Sequence, residues 1–265
     1  MNKQALRRVN SGLKPVRKYN KTLFCPEFIL ILQTEIDTIM AELTHQEIKI
    51  DTSFYRISEI RQLTESTFVL SMPRCRFTFR PGQHISVSIK GDYQTREYSI
   101  YSGNNDEALE ILVKEVEGGY FSPKLKGLKP GDYLEVHGPF GKFGLVQKKL
   151  DTHKHVFIAS GTGIAPFHSM VRSVPGLDYQ LVHGVRYPSE AYERDHYDEE
   201  RYVLCTTRDP ENNFHGRVTD YLRQTDFKPE TAFYLCGNSD MIFDAMEILK
   251  EKGFQREDIT VEVYF

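Results

Sequence analysis

From Phe54 to Leu145 apolar and polar positions alternate in short runs, and Gly, Pro and Asp break the runs. A period of two puts successive side chains on opposite faces of an extended strand. FYRISEIRQL, TFVLSMP, FRPGQHISVSI, TREYSIYS, LEILVKEV and DYLEVHGPFG read as strands, with turn signals at RPGQ, KGD, GNNDE and KPGD. Many short strands at this spacing predict an antiparallel barrel or sandwich. One helix interrupts them at YFSPKLKGL, after Gly118 and Gly119, with Ser122 as N-cap and Pro123 at the first helical position. A helix start offers free backbone N–H groups to an anion; a capped surface helix reads the same way.

The pattern changes at His155. HVFIAS is a continuous apolar strand, GTG follows, and IAPFHSMVRSV places Phe167, Met170, Val171 and Val174 on one helical face. YQLVHGVR, RYVLCTT and AFYLCGN give three more strands. DMIFDAMEILKEK gives a helix capped by Ser239 and ended by Gly253, and DITVEVYF a last strand. Strands alternating with helices predict right-handed crossovers and an α/β doubly wound parallel sheet, whose ligands bind outside the carboxyl ends of the strands.

The beginning of the chain fits neither pattern. Residues 1–22 carry seven Lys or Arg and no acid, and in the stretch that follows Leu32, Ile36, Ile39, Met40 and Leu43 fit one helical face. A targeting segment, a stretch upstream of a start at Met40, and a basic arm or added helix all agree with this. The predicted division is therefore a basic, helical extension over 1–49, a β-barrel over 50–150 and an α/β domain over 151–265.

Composition narrows the function classes. The 265 residues are 40% apolar and 27% charged, with a formal net charge of −3, a balance that argues against a dedicated nucleic-acid binder. No apolar run approaches the ~20 residues of a membrane span. Cysteines 25, 75, 205 and 236 are spaced neither for zinc nor for an iron–sulfur cluster. They read as reduced thiols of a cytoplasmic protein. The nine histidines show no ligand-like pairing with acids, so no metal site is expected.

Two stretches carry candidate chemistry. Gly161, Thr162 and Gly163 lie between a buried strand and a helix, where glycines let backbone approach a pyrophosphate. Arg186, Arg208 and Arg217 fall near successive strand ends, where an NAD site would place an acid. Together they form a candidate clamp for a 2′-phosphate. Individually each reads as a solvated surface arginine. TREYS puts Arg96 and Tyr98 on one side of a strand and Glu97 and Ser99 on the other.

In order along the chain, REYS, GGYFS, GTGIAPF, LCGN and the terminal VEVYF resemble the ferredoxin–NADP(H) reductase family over residues 50–265. The VEVY ending resembles plant-type members and the three arginines bacterial ones. The resemblance implies an antiparallel β-barrel that binds FAD, an α/β domain that binds NADP(H), and hydride transfer between nicotinamide C4 and flavin N5. It implies that Arg96 meets the FAD pyrophosphate and that Tyr98 stacks on the isoalloxazine. Ser99 would hydrogen-bond near N5, and Gly119 and Ser122 would hold the pyrophosphate. Gly161, Thr162 and Gly163 would receive the nicotinamide nucleotide, with Arg186, Arg208 and Arg217 favouring NADP(H). Cys236 would flank the nicotinamide and Glu262 would organise protons and charge at the flavin. Tyr264 or Phe265 would cover the face opposite Tyr98.

Ferredoxin or flavodoxin is the implied partner, steered by seven lysines between residues 118 and 154. Two alternatives remain: an NAD(P)H-dependent reductase component of an oxygenase system, and a flavin- or nucleotide-binding subunit without turnover.

Overall fold

The computed structural model describes residues 53–209 and 214–264, within the contact unit Asp51–Phe265. The expectations for residues 1–49 and for Phe265 lie outside the described residues. The first lobe contains β1 (Ser53–Arg56), β2 (Glu59–Gln62), β3 (Thr67–Pro73), β4 (His84–Ile89), β5 (Thr95–Ser99) and β6 (Ala108–Lys114). After these come α1 (Ser122–Lys126) and β7 (Tyr133–Phe140). Two antiparallel sheets, β1-β7-β4-β5 and β2-β3-β6, are joined by a bridge between Ile100 and Ile111. FYRISEIRQL thus splits between the two sheets at Ile57–Ser58. Phe68, Leu70 and Met72 of β3 pack with Ile85, Val87 and Val113 inside this lobe, while Val69 belongs to the core of the second. β3 is buried on both faces, which is why TFVLSMP is apolar without full alternation.

The second lobe follows in the order β8 (Lys154–Ser160), α2 (Ala165–Ser173), β9 (Tyr179–Val185), β10 (Tyr202–Thr206), β11 (Phe214–His215), α3 (Val218–Gln224), β12 (Thr231–Asn238), α4 (Ser239–Glu251) and β13 (Ile259–Tyr264). Its sheet runs β11-β10-β9-β8-β12-β13 with every neighbouring pair parallel. Alternate residues of β8 serve opposite faces. Val156 and Ile158 join Val218, Leu222, Ile242 and Leu249 on the face covered by α3 and α4. Phe157 and Ala159 face α2, where Phe167 stacks on Phe157 at 4.7 Å. An antiparallel β lobe followed by a six-stranded parallel α/β lobe is the predicted architecture.

Two helix caps differ from expectation, each by one residue. Phe121, not Ser122, occupies the N-cap of α1, because the Ser122 hydroxyl accepts the Val116 N–H at 2.8 Å and ties down the intervening glycine turn. Asn238, not Ser239, caps α4, accepting the N–H groups of Asp240 and Met241. An Asn side chain outcompetes the neighbouring Ser because its extra atom reaches both free donors.

Candidate active site and nucleotide sites

β5 ends at Ser99 against the carboxyl edge of the parallel sheet. β13 lies beside β12 with Cys236 opposite Glu262 and Asn238 opposite Tyr264. This pairing brings Tyr264 and Glu262 to Ser99, with Cys236 beside them. The Tyr264 hydroxyl donates to Ser99 Oγ at 2.7 Å, and Ser99 Oγ donates to Glu262 Oε1 at 2.8 Å. The buried Cys236 thiol lies against the Tyr264 hydroxyl. Burial pushes the Glu262 carboxyl up, partly offset by the Ser99 hydrogen bond and by nearby His84. Burial likewise raises Cys236 and Tyr264, so both stay protonated at neutral pH. The result is a directional chain from phenol to hydroxyl to carboxylate, spanning the two lobes. His84, paired with Ser99 across β4 and β5, sits 3.8 Å from Glu97. Nothing in the sequence pattern singled His84 out.

Tyr98, on the opposite face of β5, packs against the barrel core, and burial pushes its hydroxyl up to about 12. The exposed Arg96 guanidinium rests over the Phe121 ring at 5.9 Å, beside the start of α1. Among the described residues its side-chain hydrogen bonds go to Thr95 O and Gln94 Oε1. Gly118, with φ +71°, has open space where a side chain would project, whereas a Cβ on Gly119 would crowd Val116. An exposed guanidinium beside an open glycine turn and a helix start fits a pyrophosphate-bearing group.

The GTG segment forms a single tight turn, Gly161–Ile164, before α2. Gly163 must be glycine: a Cβ there would overlap the Cys236 carbonyl and the Gly237 backbone. Gly161, with φ +54°, instead faces open space. Its carbonyl is held by buried His183, whose Nε2 donates at 2.8 Å while Nδ1 accepts from the Tyr202 hydroxyl at 2.6 Å. Burial lowers His183 to about 4, keeping it neutral for this bracing. His183 was also missed from sequence; its only signal is its place on a strand, one residue before the glycine of VHGVR.

A cavity of about 300 Å³ opens beside this turn, lined among others by Gly161, Arg186, Glu190, Arg217, Asn238 and Lys114. Arg186 and Arg217 therefore come together. Arg208 does not line the cavity; it lies over the Tyr187 ring at 5.7 Å. Arg186 is partly committed, with its side chain still half-exposed. Glu190 Oε1 takes its Nη2 at 2.8 Å and Lys114 Nζ at 3.3 Å, while Oε2 accepts the Arg186 N–H. Burial pushes Glu190 up, but these donors outweigh it and hold the carboxyl at about 2. An acid thus stands at the second strand end after all, four residues beyond where the sequence suggested looking for one.

The lysine-rich stretch is partly neutralised. Lys124 pairs with Asp92 at 2.8 Å, Lys149 with Asp258 at 2.9 Å, and Lys126 with Glu115. Among the described residues no helix is long and apolar enough to cross a membrane.

Residues 55–144 match the oxidoreductase FAD-binding domain family and residues 157–247 the oxidoreductase NAD-binding domain family. The chain is 30% identical over 226 residues to the toluate 1,2-dioxygenase electron transfer component of Pseudomonas putida, covering 78% of this chain. It spans 66% of that relative, just under two thirds of its length. It is also 30% identical over 210 residues to a ferredoxin–NADP reductase of Pseudomonas aeruginosa, covering 67% of this chain and 80% of that one. In fold it matches a ferredoxin–NADP+ reductase from Neisseria gonorrhoeae solved with bound FAD and NADP. The TM-score is 0.69 and the identity 24%, over 80% of this chain and 98% of that one. The chain belongs to the ferredoxin–NADP reductase-like family of FAD- and NAD(P)-binding oxidoreductases, electron-transferring enzymes whose members include both ferredoxin–NADP reductases and oxygenase reductase components.

Proposed function

We propose that the chain takes a hydride equivalent from NADPH and passes the electrons on to a one-electron carrier of the ferredoxin or flavodoxin type. The observation that carries this reading is the Tyr264–Ser99–Glu262 chain at the meeting of the lobes. Arg96, Tyr98 and Ser99, with the Gly118–Gly119 turn, would hold FAD, and the Gly161–Gly163 turn with the adjoining cavity would hold the nicotinamide nucleotide. Bound FAD supplies the two-electron to one-electron conversion that no side chain provides. The protein's part is position and charge. Ser99 presents a hydroxyl whose own proton is committed to Glu262, so its oxygen orientation is fixed. Glu262, raised by burial, can hold or release a proton beside that hydroxyl. Tyr264 lies between Ser99 and Cys236 and keeps water from the space between the lobes until a nucleotide displaces it. The preference for a 2′-phosphate rests on Arg217 and on Arg186, with Glu190 competing for the latter.

Glu190 supports a second reading. A low-pKa carboxylate lining the nucleotide cavity suits ribose hydroxyls, the pattern of an NADH user. With it comes the oxygenase reductase role named for the Pseudomonas putida relative. Anaerobic titration of the flavin-loaded protein with NADPH and with NADH, followed at the flavin absorbance, separates the two. Faster bleaching by NADPH with transfer to ferredoxin supports the first reading, and an NADH preference of tenfold or more replaces it with the second. Absence of bleaching by either nucleotide removes both.

A further inference from the structure

Away from the hydride-transfer region, His168 of α2 meets Glu193 and His196 of the segment between β9 and β10. One ligand-type atom from each lies within 4.8 Å of the others. His168 Nδ1 contacts the Tyr101 carbonyl at 2.6 Å. A carbonyl only accepts, so Nδ1 carries the proton and Nε2 presents a lone pair. That lone pair faces His196 Nδ1 at 2.9 Å, and His196 Nδ1 is 3.7 Å from Glu193 Oε2. The other carboxylate oxygen, Oε1, is taken by Arg61 Nε at 2.7 Å.

A tetrahedral ion with bonds of about 2.0–2.1 Å keeps its ligand atoms about 3.4 Å apart. Two of the three separations bracket that value within about half an ångström and the third, between His168 and Glu193, is within 4.8 Å, so side-chain rotation draws the carboxylate in. The support around the three atoms is also the kind a metal needs. The Tyr101 carbonyl fixes the His168 tautomer, Arg61 orients the carboxylate, and the Tyr101 ring stacks on His168 at 3.8 Å. A separate observation points into the cluster. The Glu193 side chain is only 10% exposed, and its Oε2 has no hydrogen-bond partner in good geometry: the Tyr101 hydroxyl and His196 Nδ1 lie beside it without closing on it. The Tyr101 and Tyr197 hydroxyls beside it are also buried without one. Leaving a buried charged oxygen unsatisfied is costly. His196, at 32% side-chain exposure, provides the way in.

We propose that His168 Nε2, His196 Nδ1 and Glu193 Oε2 form a binding site for a borderline divalent cation, with zinc the best match to two imidazoles and one carboxylate. The ion replaces the proton on His196 Nδ1, and that imidazole reprotonates at its other nitrogen. Because Tyr101 and Arg61 belong to the first lobe and the three ligands to the second, the ion stiffens the contact between them. This site is independent of the hydride-transfer reading.

The test is equilibrium dialysis of the full-length, flavin-loaded protein against zinc chloride, with calorimetric unfolding and a zinc K-edge absorption spectrum. One retained equivalent, nitrogen and oxygen neighbours, and a raised unfolding temperature are expected. His196→Ala, at a part-exposed position, should lose the equivalent and the temperature shift while staying folded. Glu193→Gln should weaken both, and Cys75→Ser, at an exposed thiol distant in sequence, should change neither. No stoichiometric zinc, sulfur in the zinc neighbourhood, or unchanged retention in His196→Ala would each overturn the site.

Discussion

Ser99 does two things with one oxygen: it accepts from Tyr264 and donates to Glu262. Ser99→Ala removes both bonds and leaves a buried carboxylate oxygen unpaired, a loss of about 1–3 kcal/mol. The larger effect is expected on chemistry. Stopped-flow reduction of the flavin by NADPH should slow by about 100-fold, the order for removing one preorganised polar group at a reacting centre. A loss below threefold would leave Ser99 a structural residue only. Glu262 gives a pH signature of definite sign. Its folded pKa lies above the ordinary 4.5. The folded state therefore binds the proton more tightly, and stability is lost as pH rises from 4.5 through the folded value. Glu262→Gln cannot ionise, so its melting temperature should gain on the wild type across that window and remain ahead at neutral pH. Equal pH profiles by differential scanning calorimetry would contradict the burial account. These residues were legible in TREYS and VEVYF because their order along the chain matched a known pattern. Their mutual contact was not, because it depends on β13 lying beside β12 in one register out of several.

At the scale of elements, the period-two and period-3.6 patterns carried most of the strand and helix order, but not the two-residue β11 or the short helix α3, neither of which those patterns marked. They missed what depends on a neighbour. The split between β1 and β2 follows from closing the barrel, and the shifted caps follow from which side chain reaches which free N–H. The three arginines were legible as charges, but not as a set, because the turn after β9 determines their partners. Glu190, in that turn, accepts from Arg186 and Lys114 and from two backbone N–H groups. Its folded pKa of about 2 lies below the ordinary 4.5. The stability it contributes is present above pH 4.5 and lost as pH falls toward 2. Discounted for solvent screening, Glu190→Gln should cost about 1–2 kcal/mol at neutral pH. It should also loosen the hold on Arg186 and replace a charged acceptor for a ribose hydroxyl with a weaker neutral one. The NADPH-to-NADH ratio of kcat/KM is expected to rise about tenfold, the value of one charge-assisted hydrogen bond. An unchanged ratio with a lowered melting temperature would reduce Glu190 to a purely structural role.

At the scale of the whole molecule, the two lobes are held by polar contacts as much as by packing. Ser99 meets Glu262, Lys114 meets Glu190, Asp106 meets Arg172 and Arg61 meets Glu193. Arg61 is the most consequential of these, because it also pairs with Glu110 at 3.1 Å and so holds two carboxylates at once. Neither carboxylate is freely hydrated: the Glu193 side chain is 10% exposed and that of Glu110 14%. Removing the guanidinium leaves two like charges facing each other with little water to screen them. A fully buried pair broken in this way costs about 3–5 kcal/mol; with Arg61 31% exposed, about 2–3 kcal/mol is the appropriate scale for Arg61→Ala. For a chain of this size that lowers the melting temperature by about 5–10 °C. The loss falls on the contact between lobes and not on either core, so the calorimetric trace should broaden or divide into two transitions where the wild type shows one. Arg61→Lys should recover only part of the loss, because a single ammonium cannot fork between both carboxylates. A single sharp transition at the wild-type temperature in Arg61→Ala would mean that the apolar contact around Val69, Tyr101 and Leu112 alone unites the two lobes.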